Sequence, residues 1–216
     1  ISLEDKPGHL TEKKRMKVTL GMSGAWVYYN PSNPEHEKWH KHAHLRITDE
    51  KGFILGLYDV RRFAKWSWND FDVKGRGPCP FNEPLKFGDR LRENWYTHPD
   101  FKKHKLSEIV MSQHWFNGVG NYLRAEILYR LDRNPFMVAA DLPLEDLNNL
   151  VALTVGCVKQ AYKLGGGQLK DWKNPEGEDP KHFKDWMKCY GRLEKTLDGT
   201  GRTFWFDKKW KLDETR

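Results

Sequence analysis

The chain has 216 residues, enough to bury a core and to divide into two small domains. It carries 37 Lys and Arg against 30 Asp and Glu, and the resulting formal charge of +7 favours polyanions such as nucleic acid. Three cysteines without a Cys-x-x-Cys pair exclude a disulfide framework and a cysteine zinc site. No apolar run approaches the ~20 residues that span a bilayer. We therefore expect a soluble protein of a reducing, intracellular compartment.

The first third of the chain is predicted to be β-rich. Short apolar or alternating stretches, separated by turns containing glycine or proline, predict antiparallel strands at residues 16–20, 25–29, 44–48 and 53–59. The chain begins with Ile1 rather than methionine. We therefore expect the true N-terminus of the protein to lie upstream.

Residues 75–80, Gly-Arg-Gly-Pro-Cys-Pro, predict a hinge between two domains. Beyond them the apolar period changes from two to about 3.6, which predicts helices. A first helix is entered at Lys105, and its apolar face is formed by Leu106, Ile109, Val110 and Gln113.

The later elements follow from glycine, proline and apolar spacing. A second helix is predicted to begin at Asn121, and a third at 143–162 is ended by the glycines at 165–167. After a polar loop, Pro180 opens a short amphipathic helix. Two short runs flanking Asp198-Gly199 predict a terminal hairpin.

One motif joins the first two predicted helices: Gln-His-Trp-Phe-Asn-Gly-Val-Gly-Asn at 113–121. Gly118 and Gly120 free the backbone for a sharp turn and let an anion approach bare N–H groups. Asn121 is positioned to cap the next helix and to donate an amide hydrogen to that anion. A phosphate-binding turn and a tight interhelical turn without a ligand both explain this short pattern.

Residues 113–131 resemble the helix–two-turns–helix motif of the Fpg/Nei DNA glycosylases, including the Asn-Tyr-Leu-Arg-Ala-Glu-Ile-Leu-Tyr-Arg stretch that starts at Asn121. Gly-Met-Ser-Gly at 21–24 and Asp-Val-Arg-Arg-Phe at 59–63 resemble the two loops with which that family pushes side chains into the DNA stack. Residues 189–191 and 201–206 resemble the β-hairpin of endonuclease VIII-like members that lack zinc. The resemblance covers nearly the whole chain.

This resemblance implies an α+β fold with a truncated N-terminal antiparallel β-sandwich, a C-terminal helical domain with the helix–two-turns–helix motif, and a zincless β-hairpin finger. We predict an incomplete β-rich domain at 1–75, a linker and connecting segment at 76–105, a DNA-binding domain at 106–187, and the finger with the tail at 188–216. Aromatic side chains would pack the finger in place of a metal, namely Trp186, Phe204, Trp205 and Phe206. No metal or cofactor is expected.

The resemblance also nominates residues that fill the gap left by an extracted base. Met22 would act as an apolar plug, Arg61 would reach the orphaned base, and Phe63 would stack. The loop at 164–180, which contains Gly167 and Lys170, corresponds to the loop that covers the flipped base in that family.

A second set of residues would hold the phosphates that flank the lesion. The set consists of Gly118, Gly120, Asn121 and Arg202. Glu126 is interpreted as a buried structural carboxylate rather than an acid catalyst. Histidines at 36, 40, 42 and 44 raise the question of a metal, since His42 and His44 are predicted to share a strand face. We expect no metal there, because no carboxylate or cysteine accompanies them.

Fpg/Nei members attack the sugar with an N-terminal proline amine, assisted by a glutamate and a lysine. No residue of this chain matches these three groups, so we assign no catalytic residue here. The leading hypothesis is a monomeric bifunctional glycosylase and apurinic/apyrimidinic lyase for oxidised bases in duplex, single-stranded or bubble DNA. It would work in the nucleus of a eukaryote, or in the cytoplasm and nucleoid of a bacterium. The alternative is a non-catalytic damaged-DNA-binding protein with the same docking motif.

Overall fold

A computed structural model describes residues 2–3, 14–21, 24–68, 75–166 and 181–210. The contacts divide the chain into two compact units, Ile1–Val73 and Lys74–Arg216. Antiparallel strands dominate the first unit, and helices with one β-hairpin form the second, so the fold class is α+β as predicted. Within the described ranges, no helix combines the length and the apolar character needed to cross a membrane.

Two three-stranded antiparallel sheets form the N-terminal unit. One sheet has the order β1–β2–β6, with Ser2–Leu3, Lys14–Thr19 and Lys65–Trp68. The other has the order β3–β5–β4, with Ala25–Tyr29, Ile54–Tyr58 and Ala43–Thr48. The predicted strands are therefore present, and β1 and β6 add to the first sheet.

A short helix, α1 (Glu37–His42), precedes β4 at a place where the sequence pattern predicts none. A turn leads into it, in which the Asn33 side chain accepts from the Glu35 amide at 3.0 Å. The prediction that His42 and His44 share a strand face is wrong, because His42 ends the helix and only His44 lies in β4. Among the described residues, no group of three or more His, Cys, Asp or Glu side chains could hold a metal ion.

A small apolar cluster supports the β3–β5–β4 sheet. Tyr29, Ala43 and Ile54 are buried in it. Gly56 in β5 is required there, because a Cβ would lie 2.7 Å from the Cβ of Ala43 and 3.0 Å from the Tyr29 ring. The Tyr29 hydroxyl lies 3.2 Å from Nδ1 of His40, which gives the buried phenol a polar partner.

Helices supply most of the C-terminal unit, and its described residues contain α2 (Pro84–Asn94), α3 (Pro99–Lys103), α4 (Leu106–Ile109), α5 (Asn121–Leu131), α6 (Leu144–Lys163) and α7 (Lys181–Trp186). The prediction that 76–105 is a linker and connecting segment is wrong for most of its length. Phe87, Trp95 and Phe101 are buried in the unit's core, so α2 and α3 are part of the domain.

Aromatic side chains form the centre of this core. The Trp95 ring lies 4.4 Å from the Phe101 ring, and its Nε1 donates to the Ala139 carbonyl at 2.8 Å. Phe116 lies edge-on to Phe87 at 5.4 Å. Since Phe116 belongs to the 113–121 motif, the core directly supports that motif.

The second and third predicted helices correspond to α5 and α6, which pack against each other. Glycines end α6 as expected: Gly165 and Gly166 have φ of +88° and +66°, and the Gly166 amide donates to the Ala161 carbonyl at 2.8 Å. The first predicted helix is shorter than expected, because α4 ends at Ile109 and Gln113 lies beyond it.

The hairpin consists of β7 (Glu194–Leu197) and β8 (Thr203–Phe206), with Leu197 opposite Thr203. The predicted hairpin is therefore present, and residues 198–202 form its loop. Gly201, rather than Gly199, adopts a positive φ of +76°, and its amide donates to the Asp198 carbonyl at 2.9 Å. Phe204 and Phe206 are buried in the core of the C-terminal unit, whereas the β7 side chains are exposed.

Candidate nucleic-acid interface

A single glutamine side chain closes the turn between α4 and α5. Oε1 of Gln113 accepts from the Gly118 amide at 2.9 Å, and Nε2 donates to the Val119 carbonyl at 2.9 Å. Gly118 has φ of +86°, a backbone conformation that favours glycine. The Gly118 amide is therefore already bonded inside the protein, which contradicts its predicted role as a phosphate donor.

The segment predicted as a hinge packs against this turn. The Gly77 amide donates to the Gln113 carbonyl at 3.0 Å, and the Asn117 side chain donates to the Gly77 carbonyl at 2.8 Å. A Cβ on Gly77 would lie 2.2 Å from the His114 carbonyl oxygen. These contacts between Gly77 and residues 113–117 hold the turn in place, and a larger residue than glycine would not fit at position 77.

The first amides of α5 form a cluster of open hydrogen-bond donors. Gly120 is the N-cap and Asn121 the first helical residue, so the prediction that Asn121 caps the helix is wrong. No acceptor in the described part of the chain meets the N–H groups of Gly120, Asn121 or Tyr122. These donors sit at the positive end of the helix dipole, where an anion is stabilised.

The Asn121 side chain connects this helix start to the hairpin. Its Nδ2 donates to the Thr203 carbonyl at 2.7 Å, and its Oδ1 accepts from Nη2 of Arg124. An asparagine amide carries two hydrogens. The second hydrogen is the one that the predicted phosphate contact would use.

Arg124 and Asp198 form a buried ion pair beneath the turn. Nη1 of Arg124 lies 2.7 Å from Oδ2 of Asp198, and the two side chains are 0% and 8% exposed. The guanidinium also lies over the Phe204 ring at 4.6 Å. Burial lowers the pKa of Arg124, and the hydrogen bond with Asp198 opposes that shift.

Asp198 also organises the hairpin tip. Its Oδ1 accepts from the Thr200 hydroxyl at 2.7 Å and from the amides of Thr200 and Arg202 at 3.0 Å. Burial opposes ionisation of Asp198, but the hydrogen bonds from Thr200 and Arg124 outweigh it and hold the pKa of Asp198 well below its usual range. Arg202 is exposed at the tip, with its backbone fixed by Asp198.

The base of the hairpin is held by Glu126, the buried carboxylate predicted from the sequence. It accepts from the amides of Lys188, Cys189 and Tyr190 at 2.8–3.1 Å and pairs with Arg130. Burial raises the pKa of the Cys189 thiol to about 12, and the Glu126 charge adds to this shift. Cys189 is therefore a protonated, apolar core residue at neutral pH.

In the N-terminal unit, Asp59 shapes the loop at 59–63. Its Oδ2 accepts from the Ala64 amide at 2.6 Å, and its carbonyl accepts from the Arg62 amide at 3.2 Å. Arg62 adopts a left-handed φ of +56°, which costs an ordinary residue about 1–2 kcal/mol. The carboxylate thus stabilises a strained turn between Arg61 and Phe63.

Arg61 and Phe63 are two of the residues predicted to fill the gap left by an extracted base, and both lie on this loop, which we call the wedge loop. The Arg61 guanidinium is 5.1 Å from the centre of the Phe63 ring, and Phe63 is 52% exposed. Gly21 of the neighbouring loop approaches Phe63 so closely that a Cβ would lie 2.9 Å from the Phe63 Cβ. Met22 lies outside the described residues, and so do Gly167 and Lys170 of the predicted lesion loop.

Sequence reasoning missed two residues that build this interface, Gln113 as the brace of the turn and Arg124 as the partner of Asp198. The signal for Arg124 was present. It lies between Leu123 and Ala125 on a helix whose neighbours are apolar, and a charge in such a stretch implies a buried partner. The partner itself, 74 residues away, is not deducible from the pattern.

The relatives of this chain include endonuclease 8-like proteins and formamidopyrimidine-DNA glycosylases. Endonuclease 8-like 1 of Homo sapiens is 34% identical over 95% of this chain and 57% of its own length. The formamidopyrimidine-DNA glycosylases of Hydrogenovibrio crunogenus and Shewanella piezotolerans are 30% and 32% identical, over 89% and 86% of this chain and 65% and 67% of their own lengths. No family model matches. The chain spans 57–65% of the first three curated relatives it matches.

Solved structures share the fold. The MutM (Fpg) protein of Thermus thermophilus matches with a TM-score of 0.67 and 22% identity, over 92% of this chain and 76% of that one. Lactococcus lactis Fpg in complex with DNA containing N7-benzyl-Fapy-dG matches with a TM-score of 0.69 and 21% identity, over 93% and 76%. The fold is that of the Fpg proteins. Together with the relatives above, it shows that the chain belongs to the Fpg/Nei family of DNA glycosylases.

Proposed function

We propose that the protein is a base-excision-repair DNA glycosylase and apurinic/apyrimidinic lyase that acts on oxidised bases in DNA. One observation carries this proposal: the open amides of α5 lie beside a hairpin tip that presents Arg202, within a chain of the Fpg/Nei family. This surface suits the docking of phosphates. The protein would bind damaged DNA as a monomer, inside the cell, with bubble and single-stranded DNA as further substrates.

The chemistry of a DNA backbone fits this surface. A phosphate oxygen can accept from several helix-terminal amides at once, and charge-assisted hydrogen bonds of this kind are about twice as strong as neutral ones. The second amide hydrogen of Asn121 and the guanidinium of Arg202 would add two further donors. With the Gly118 amide already bonded, we assign the backbone contacts to Gly120 and the first turn of α5.

The loop at 59–63 supports the removal of a base from the stack. Extraction costs a few kcal/mol in lost stacking and pairing, which inserted side chains offset. Phe63 presents an exposed ring, and Arg61 lies against it. We propose that both enter the duplex together with Met22, and that the loop containing Gly167 and Lys170 covers the extracted base.

Binding to a duplex with a tetrahydrofuran abasic analogue tests the docking surface, with fluorescence anisotropy as the readout. Loss of one charge-assisted contact costs about 1.5–3 kcal/mol, so Arg202→Gln and Asn121→Ala should each weaken binding at least about tenfold. Lys159→Ala removes an exposed charge on α6 and is the matched control, expected to bind like the wild type. If Arg202→Gln and Asn121→Ala bind as tightly as the Lys159→Ala control, the proposed surface is refuted.

Borohydride trapping tests the chemical step in the full-length gene product. Reduction converts an amine–sugar iminium into a permanent protein–DNA adduct. An adduct with abasic-site duplex supports the lyase. Lesion binding without an adduct would instead support a damaged-DNA-binding protein without chemistry.

A further inference from the structure

A continuous path of hydrogen bonds joins the two candidate phosphate contacts, which are far apart in the sequence. Oδ1 of Asn121 accepts from Arg124, Arg124 donates to Oδ2 of Asp198 at 2.7 Å, and Oδ1 of Asp198 accepts from the Arg202 amide at 3.0 Å. Each step uses a different atom of its residue. A shift of the Arg124 guanidinium would therefore disturb both ends of the path.

Stability alone is a weak reason for this arrangement. A buried ion pair loses its hydration, and an apolar replacement of the same shape is often as stable or more so. Nε of Arg124 is buried and has no hydrogen-bond partner among the described residues, which adds a further cost. The Arg124–Asp198 pair is costly to bury, and it is hydrogen-bonded to both Asn121 and Arg202. The pair is therefore better explained by the positioning of these two residues.

We propose that Arg124 is a positioning residue that couples the docking turn to the hairpin tip, so that Asn121 and Arg202 engage the DNA backbone as one unit. Its side chain is fully buried, so it reaches no phosphate itself. Its hydrogen bond to Oδ1 holds the Asn121 side chain, whose Nδ2 has one hydrogen beyond the one donated to the Thr203 carbonyl. Through Asp198 it fixes the backbone of Arg202. This inference rests on the proposed function.

The salt dependence of DNA affinity separates positioning from stability. The logarithm of the binding constant falls with the logarithm of salt concentration by about 0.9 for each phosphate neutralised. Arg202→Gln removes one such contact, so its slope should be lower by about one. Arg124→Gln should lower the slope by a similar amount although Arg124 is buried, and the double variant should match the single variants. Additive losses of slope in the double variant would overturn the proposal.

For Asp198→Asn, the change in charge and the loss of positioning predict opposite changes in DNA affinity. Removal of a negative charge from a DNA-binding face should by itself strengthen binding, since the face becomes more positive. Loss of positioning should weaken binding about tenfold, because Arg202 and Arg124 are no longer held. Binding that is unchanged or tighter in Asp198→Asn, in a variant shown to be folded by circular dichroism, contradicts the inference.

Arg124→Lys tests whether DNA binding depends on the geometry of the guanidinium or only on its charge. Lysine retains the charge but is a point donor without the planar fork that reaches Asn121 and Asp198 together. We expect binding between the wild type and Arg124→Gln, whereas full rescue would show that charge alone is needed. Wild-type binding without salt dependence would instead overturn the proposed function itself.

Discussion

Glu126 joins the middle of α5 to the chain that leads into the hairpin, and Glu126→Gln is expected to break this junction. The partners of the carboxylate are all donors: the amides of Lys188, Cys189 and Tyr190, and the guanidinium of Arg130. Glutamine retains one acceptor oxygen but turns an NH2 group toward these donors. At least one buried donor then lacks a partner.

The magnitude follows from the burial of the group. An unsatisfied buried donor costs about 1–3 kcal/mol, and removal of one member of a buried ion pair costs about 3–5 kcal/mol. Arg130 is 23% exposed, so water compensates part of the loss. We expect the free energy of unfolding to fall by about 3 kcal/mol, which corresponds to a Tm lower by roughly 6–12 °C in a chain of this size.

Urea and thermal unfolding at pH 7 measure this effect. Asp89→Asn is the matched control, because it removes an exposed carboxylate 3.2 Å from Arg92 and should cost less than about 0.5 kcal/mol. A loss below about 1 kcal/mol in Glu126→Gln would refute the reasoning. It would mean that the chain at 188–190 finds other acceptors.

Further predictions concern the hairpin and the wedge loop. Gly201→Ala should cost about 1–2 kcal/mol in urea unfolding because of its φ of +76°, whereas Gly199→Ala should cost little, and equal losses would contradict the turn geometry. The pKa of Asp198 is lowered, so its ionised form stabilises the fold at neutral pH. The stability difference between wild type and Asp198→Asn should persist down to about pH 4 and shrink as the pH falls further through the lowered pKa. A stability difference that grows on acidification would contradict the lowered pKa of Asp198. Phe63→Ala should leave Tm nearly unchanged, since the ring is 52% exposed, but reduce the fluorescence rise of a 2-aminopurine placed at the lesion. A large fall in Tm would identify Phe63 as a packing residue.

Local patterns predicted the elements whose signal is contained in a few neighbouring residues. The strands of the N-terminal unit, the start of α5 at Asn121 and the glycine end of α6 follow from periodicity and backbone preference. The 113–121 motif and its resemblance gave the family. Glu126 was also predicted correctly, because a lone carboxylate on an apolar helix needs buried donors.

Long-range contacts decided what the sequence did not show. α2 and α3 depend on the burial of Phe87, Trp95 and Phe101 against partners elsewhere in the chain, so the polar stretch around them resembled a linker. The Asn121 side chain does not cap its own helix, because Gly120 holds the N-cap position and Oδ1 of Asn121 accepts from Arg124. Its Nδ2 donates to the Thr203 carbonyl, 82 residues away. The local pattern predicted the hairpin but not how its loop is held: the Asp198 carboxylate accepts from the backbone amides of Thr200 and Arg202.

The two units have apolar cores of unequal size, and this difference predicts different frequencies of local opening. In the described residues, the N-terminal cluster centres on Tyr29, Ala43 and Ile54, whereas the C-terminal cluster extends from α2 to β8. Each large apolar side chain that is buried contributes about 1.5–3 kcal/mol, so the N-terminal unit should open more often, and its strand amides should exchange with solvent before those of α5. The surface proposed to dock phosphates would then stay ordered while the unit that carries Phe63 fluctuates. On the proposed function, movement along the DNA backbone and insertion of Phe63 at individual bases would therefore occur on separate timescales.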